Sequence, residues 1–546
     1  MKIKSAILRI ITALLACVIS QTITATSLSG ISFFSPRAHI ADAARDLIGE
    51  HRFEHYDHSC LYTTGSITAE YARSYKPRRL AEHFFGTNFL HITGSNVIGR
   101  SENNLLADYF GLSQTFSSVV HLDPVMSHVL FDFSFFAGYK NWYFIMHAPL
   151  VWTHAKVLMN EIITNDGLTD PFPAGYMGKN AITPVYGSFR AAIAGDTIYG
   201  DVQPLEFGKI ICDGASQTKL ADISLVVGYD LVNNDCGYAG FNLRGVIPTG
   251  SRSKSEIIFE PIVGNGHHGE LGIGFASRGL IWEKEGIQRA DVFFNFNVTH
   301  LFKSRQRRSF DFFNTDRLDS QLSSENPCNE SGFGSRYILV KEFDENKEYM
   351  GTTIPAINIS TLNCDVSMAI QFDIALMFAY QYNSFNFDIG YNAFIRSREL
   401  ISLHEGQFPS NGYGFKGIQN LYTPPVPLNT TQSNATIDGN VDQIARLPID
   451  ATFAEKQAAL VDRNSPILLQ ESDIDVESAA SDMVLTHKIF WYAGHTWCHN
   501  ACSRVEPYLG FGAFVEFEGD RPKEMQPYKN AMAQWGLWLK GGFGWH

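Results

Sequence analysis

Along most of the chain, apolar and polar residues alternate with a period of two. The alternating runs are ten to fifteen residues long, and turns and long polar stretches separate them. A period of two puts successive side chains on opposite faces of a strand. The clearest case covers residues 366–398. Met368, Ile370, Phe372, Ile374, Leu376, Phe378 and Tyr380 share one face, and Ser367, Gln371 and Asp373 share the other. After a turn at 381–384, Phe385, Phe387, Ile389, Tyr391, Ala393 and Ile395 alternate with Asn386, Asp388, Gly390, Asn392 and Arg396. The pattern recurs through Val129, Phe131, Phe133 and Phe135, through Ile223 to Leu231, through Val292 to Val298, and through Val505 to Phe517.

The lengths of the runs and of the gaps between them narrow the fold. Strands of a soluble sandwich usually run five or six residues, whereas a tilted membrane strand needs about nine to eleven. Short turns near 140, 234, 285, 382 and 500 alternate with long loops at 154–219, 249–268, 303–365, 399–483 and 518–529. That alternation belongs to all-β transmembrane barrels of antiparallel up-and-down topology, with short periplasmic turns and long extracellular loops. It predicts twelve strands, at 61–73, 128–139, 142–153, 220–232, 236–248, 269–283, 289–302, 366–380, 385–398, 484–497, 504–517 and 530–545. The first is the weakest, and Ser117–Leu122 and Arg336–Phe343 would raise the count to as many as sixteen. Trp142 and Trp152 lie on one face of one strand, ten residues apart, as do Trp535 and Trp545. At ~3.3 Å per residue and about 45° of tilt that spacing spans roughly 23 Å, close to the ~25 Å between two aromatic girdles.

Composition changes the picture little. The 546 residues include 41 Phe, 22 Tyr, 8 Trp and 45 Gly, and charged residues make up 18%. The first residues read as a secretory leader, 1–25, with Lys2, Lys4 and Arg9 before the apolar run 10–19 and a cut after Ala25. Leu14 to Cys17 offers a weaker lipoprotein-type alternative. Residues 26–60 are then a periplasmic N-terminal segment, and 61–546 are the barrel. No other segment has 18 unbroken apolar residues, which argues against a helical membrane protein. The net charge of −13 argues against nucleic acid as a partner. Seven cysteines follow the leader, so at least one thiol stays unpaired within the chain. Cys328 and Cys364 flank one long loop and are a candidate disulfide.

The motifs that suggest chemistry have plainer readings. His51-Arg-Phe-Glu-His55, with His58, has the spacing of one zinc-peptidase class, but it reads better as a solvated segment. His495, Cys498, His499 and Cys502 surround a turn and read as thiols, or a disulfide, in a hairpin. Gly264-Asn-Gly-His-His-Gly269 reads as a loop. Lys303, Arg305, Arg307 and Arg308 form a basic cluster suited to lipopolysaccharide phosphates. No catalytic, cofactor or metal site is expected, and no enzymatic activity.

Function is expected on the face opposite the aromatics. By parity that face carries Asp132, Asp230, Arg244, Asp291, Asp373, Asp388, Arg396, Lys488, Glu506, Glu516 and Lys540. A basic group facing lipid at the midplane costs about 2–4 kcal/mol, so these charges must face water or one another. Either they line a water-filled path, or they pair across a narrow barrel and close it. The first case gives a porin-like channel for small hydrophilic solutes, constricted by an infolded loop, 154–219 or 399–483. The alternatives are a surface structural or adhesion barrel and, less favoured, a rim hydrolase.

The last strand, Ala533, Trp535, Leu537, Leu539, Gly541, Phe543 and Trp545, resembles the terminal assembly signal of bacterial outer-membrane barrels, with His546 following the aromatic residue that usually ends it. Ala107-Asp-Tyr-Phe-Gly-Leu112, Gly334-Ser-Arg-Tyr337 and Gln534-Trp-Gly-Leu-Trp538 resemble stretches of uncharacterised large outer-membrane proteins of intracellular, Dependentiae-type bacteria. The likeness is spread from about residue 80 to the end. It implies a barrel in the outer membrane, with lipid, lipopolysaccharide and the barrel-assembly machinery as partners. It supplies no active site, and a homo-oligomer is compatible with it.

Overall fold

The computed structural model describes residues 30–35, 37–40, 42–49, 61–99, 104–172, 183–195, 198–285, 287–313, 334–346, 349–416, 468–497, 505–518 and 533–545. Among these, twelve strands close one antiparallel barrel. They are β1 (Tyr62–Ser74), β2 (Ser117–Tyr139), β3 (Trp142–Asn165), β4 (Ile223–Asn234), β5 (Gly237–Ile247) and β6 (Glu270–Lys284). There follow β7 (Gln288–Ser309), β8 (Thr361–Tyr382), β9 (Phe385–Arg396), β10 (Val484–Thr496), β11 (Val505–Glu518) and β12 (Ala533–Trp545). Each pairs with the next, and β1 shuts the ring against β12 from Thr63↔Trp545 to Ser74↔Gln534. All twelve runs of period two are therefore barrel strands, including the first.

Turn chemistry fixes one end of the barrel. Lys140-Asn141 and Asn383-Ser384 are two-residue connections flanked by the pairs Tyr139↔Trp142 and Tyr382↔Phe385. Lys140 and Asn383 take φ of 55° and 49°, the left-handed region that tight hairpins need. The outer face carries the apolar set that parity assigned to it, with Phe131, Phe133, Phe135, Phe387, Ile389, Leu537 and Leu539 exposed. Trp142 and Trp545 point outward at the turn end, and Trp152 and Trp535 at the loop end. No helix among the described residues is long and apolar enough to cross a membrane.

At the other end the barrel departs from expectation. Strands β2, β3, β7 and β8 have 23, 24, 22 and 22 residues, about twice what the apolar belt needs. Ser117–Leu122 continues β2 and adds no strand to the ring. Residues 154–165, expected as loop, continue β3. The extensions carry a cap built from five loops. Phe84 of helix α1 (Pro77–Phe85), Phe110, Phe116, Phe172, Phe189, Phe259, Phe310, Phe312, Leu339 and Phe415 form its apolar core. Residues 339–343 do form a strand, but in a small cap sheet with Tyr349–Pro355 and Tyr413–Phe415, not in the barrel.

Candidate functional site

The lumen is where the polar faces of the strands converge, and the N-terminal segment occupies it. Residues 30–49, expected outside the barrel on the turn side, run instead from the cap down into the interior. Gly30 donates to Ser478 O at 2.8 Å and accepts from Ser309 N at 3.3 Å, both at the loop end. A side chain at position 30 would meet Ser309 O at 2.1 Å, so this close approach requires glycine. Ser32 O accepts from Glu260 N at 2.8 Å. Lower down, a five-residue helix, Ala43–Leu47, starts at Asp42, whose side chain accepts from Ala44 N. Gly49, at φ 56°, lies against the Tyr492 ring and donates to Asp388 Oδ2 at 2.9 Å.

The wall holds this segment by charge. The Arg37 guanidinium reaches Glu516 at 2.9 Å, Asp42 at 3.2 Å, Asp373 at 3.5 Å and Asn392 Oδ1 at 2.6 Å. It also lies 4.5 Å over the Phe394 ring. Arg45 bridges Asp132 at 3.1 Å and Glu70 at 3.3 Å. Lys488 pairs with Asp42. Asp46 meets His147 Nε2 at 3.3 Å and Arg244 at 3.5 Å, while His147 Nδ1 faces Asp132 at 3.0 Å. Lys540 Nζ donates to the carbonyls of Arg45 and Ile48 at 3.2 and 2.6 Å, neutralising the negative end of the short helix. Asp373 accepts from Ala43 N at 3.0 Å, and Arg396 donates to Ser35 O at 3.0 Å.

An apolar contact backs these polar ones. Ala43, Ala44, Leu47 and Ile48 pack against Phe293, Met377, Phe490, Tyr492, Phe514 and Trp538 on the inner wall. Cavities of about 70 and 80 Å³ adjoin the segment, one around Glu70 and His128 and one around Tyr143 and Arg244. Each has room for several waters.

The eleven charges assigned to the lumen by parity thus separate into two sets. Asp132, Arg244, Asp373, Asp388, Arg396, Lys488, Glu516 and Lys540 hold the N-terminal segment. Asp291 pairs instead with Arg278 and Arg289 near the turn end, at 3.4 and 2.7 Å. Asp230 and Glu506 also lie at that end, beside the turns at 141 and 497. The expected constriction by loop 154–219 or 399–483 is replaced by the N-terminal segment, and the described parts of both loops belong to the cap.

The other motifs fall elsewhere. Residues 51–58, Cys498, His499, Cys502 and Cys328 lie outside the described residues. Cys364 is a buried thiol donating to Gln306 O at 3.6 Å, and burial pushes its pKa up to about 12. The basic cluster is divided by strand parity: Lys303 and Arg305 are exposed, whereas Arg308 is buried and pairs with Glu399 at 3.3 Å. No family model matches the chain, and neither does any curated protein. It is similar in fold to solved barrels. An outer-membrane channel of Pseudomonas putida F1 shares 7% identity over 90% of this chain and 97% of that one, at TM-score 0.31. The toluene transporter TodX of Pseudomonas putida shares 9% over 96% and 99%, at 0.30. The outer-membrane protease OmpT of Escherichia coli shares 7% over 89% and 96%, at 0.19. The strand register itself establishes the barrel.

Arg37, Asp42, Arg45 and Asp46 were missed by the sequence reading, but a signal for them exists. Phe490, Tyr492, Phe514 and Trp538 fall on the face that parity assigns to water. Large apolar groups there imply a solid partner inside the ring.

Proposed function

We propose that this chain is an outer-membrane channel for small hydrophilic solutes, held shut in this state by its own N-terminal segment. The observation that carries the reading is the segment itself: ion pairs to the wall fix it in place, and its covalent link to β1 is at the turn end. The part of the wall that grips Arg37, Arg45 and Asp46 is charged and remains wettable once the segment leaves. The reading includes a cleaved leader, recognition of the last strand by the assembly machinery, loops outward, and Lys303 and Arg305 against lipopolysaccharide phosphates. Planar-bilayer recordings test it on full-length protein and on a chain lacking residues 30–49. Brief, rare openings are expected from the first and sustained conductance from the second. Silence from both overturns it.

A second reading, a surface structural or adhesion barrel, is favoured by one observation, the cap with an apolar core of its own. If replacing the cap loops abolishes binding to cells while the chain lacking 30–49 stays silent, this reading prevails.

A further inference from the structure

On the turn side of the short lumen helix, the wall opens into the cavity of about 80 Å³. Asn242 of β5, Gly274 of β6 and Asn297 of β7 stand abreast in register, and one step nearer the turns Ala276 stands beside Asn295. A methyl group on Gly274 would lie 2.5 Å from both Asn242 Oδ1 and Asn297 Oδ1, so the two amides pack over this glycine and a side chain there would displace them from the cavity wall.

Besides Asp46 Oδ1, which faces His147 Nε2 at 3.3 Å, four buried polar atoms around the cavity have no hydrogen-bond partner: Asn242 Oδ1, Asn295 Oδ1, Asn297 Nδ2 and Arg244 Nε. Arg244 and Asn297 are 8% and 5% exposed. Their neighbours hold them in place, since Asn242 Nδ2 donates to Tyr143 Oη at 3.2 Å and Arg244 pairs with Asp46 at 3.5 Å. Buried polar atoms left unpaired are costly, and a partner that fits them is favoured.

The chemistry of the set selects the partner. Each amide offers both an acceptor and donors, whichever way it is flipped. An anion brings acceptors alone and would meet amide oxygens and Asp46. A cation would meet Arg244 and Lys540. A hydroxyl both donates and accepts, and the rings of Phe136, Tyr143 and Tyr238 offer apolar surface to C–H groups. We propose that this recess is a binding subsite for a small neutral polyol, of the size of a three- or four-carbon chain or the edge of a sugar ring. It rests on the channel reading and names the solute class that reading leaves open.

Saturation-transfer NMR on detergent-solubilised full-length protein, with erythritol as probe, tests it. Transfer to erythritol is expected, with sulfate and tetramethylammonium failing to compete. Asn242→Ala and Asn297→Ala should each weaken binding about tenfold, as loss of a matched hydrogen bond does. Their unheated gel mobility should stay that of a folded barrel. Gly274→Ala should displace both amides and abolish binding; if that variant does not fold, the asparagine variants decide. No transfer to the wild type, or transfer unchanged in the Asn242→Ala/Asn297→Ala double variant, overturns the subsite. A protein that conducts but binds no polyol refutes the subsite alone. One that binds polyol but never conducts in either form refutes the channel alone.

Discussion

Residues 37–49 lie in the lumen and the loop cap is carried on the strand extensions beyond it, and the two are built from different materials. The segment has four small apolar side chains on the inner wall and is otherwise fixed by Arg37, Asp42, Arg45 and Asp46. The cap is a folded body with a core of phenylalanines, and its buried ion pair, Arg336 with Asp311, is bidentate at 2.7 and 2.8 Å. Apolar burial is non-directional and additive, so a cap of this kind gives way only by unfolding. Buried ion pairs contribute little net stability while intact, yet breaking one is strongly unfavourable. The segment is therefore specifically placed but weakly committed, which is the property of a movable part.

The largest effect should come from Arg37→Ala with Arg45→Ala. These leave Glu516, Asp373, Asp132 and Glu70 without the segment's cations, at about 3–5 kcal/mol per broken pair. Single-channel open probability should rise at least a hundredfold, while resistance of the cap to protease is unchanged. Phe312→Ala should do the converse. Removing a fully buried phenylalanine costs about 3–5 kcal/mol, so the cap should become protease-sensitive while the barrel keeps its unheated gel mobility. Lys540→Met removes the donor at the helix C-terminus and should cost about 1–3 kcal/mol, giving an intermediate open probability in the same recordings.

The smallest effect is a pH dependence confined to the cap. Burial pushes the Lys416 ammonium from its ordinary 10.5 down to about 8, against the pull of Asp201 and Asp108. Between those values the unfolded cap holds this proton and the folded one does not, so Lys416 should make cap stability rise with pH from about 8 to 10.5, and Lys341, also depressed by burial, adds to the rise. Hydrogen exchange of the cap should show this rise, and Lys416→Met should lessen it. If the lumen variants also follow this profile, the two regions are not independent.

How much of this was legible depended on the range of the interactions involved. The barrel was legible because period two and strand length are local properties, visible at Phe131–Phe133–Phe135 without knowing any partner. The lumen charges were legible by parity for the same reason. What they touch was not, because Asp132 and Arg45, or Glu516 and Arg37, are brought together only by ring closure. The cap was illegible because its core collects single residues, such as Phe110, Phe259 and Phe415, from loops with no common period. The segment lay between these extremes: Asp42 before Ala43 and Ala44 is a local helix-start signal, but nothing local places that helix inside the ring.

The seam between β1 and β12 has a consequence for the order of events in assembly. The ring cannot shut before the final residues arrive, because its first strand waits for its last. Residues 30–49 precede that first strand in the chain, yet they end up enclosed, with Gly30 anchored among loops at the far rim. A finished cylinder would have to be threaded from one mouth to the other, past every inward side chain of the wall. Closure around a segment already laid against the open sheet avoids that passage, and the charged inner faces of the strands are then the surface on which the segment is laid.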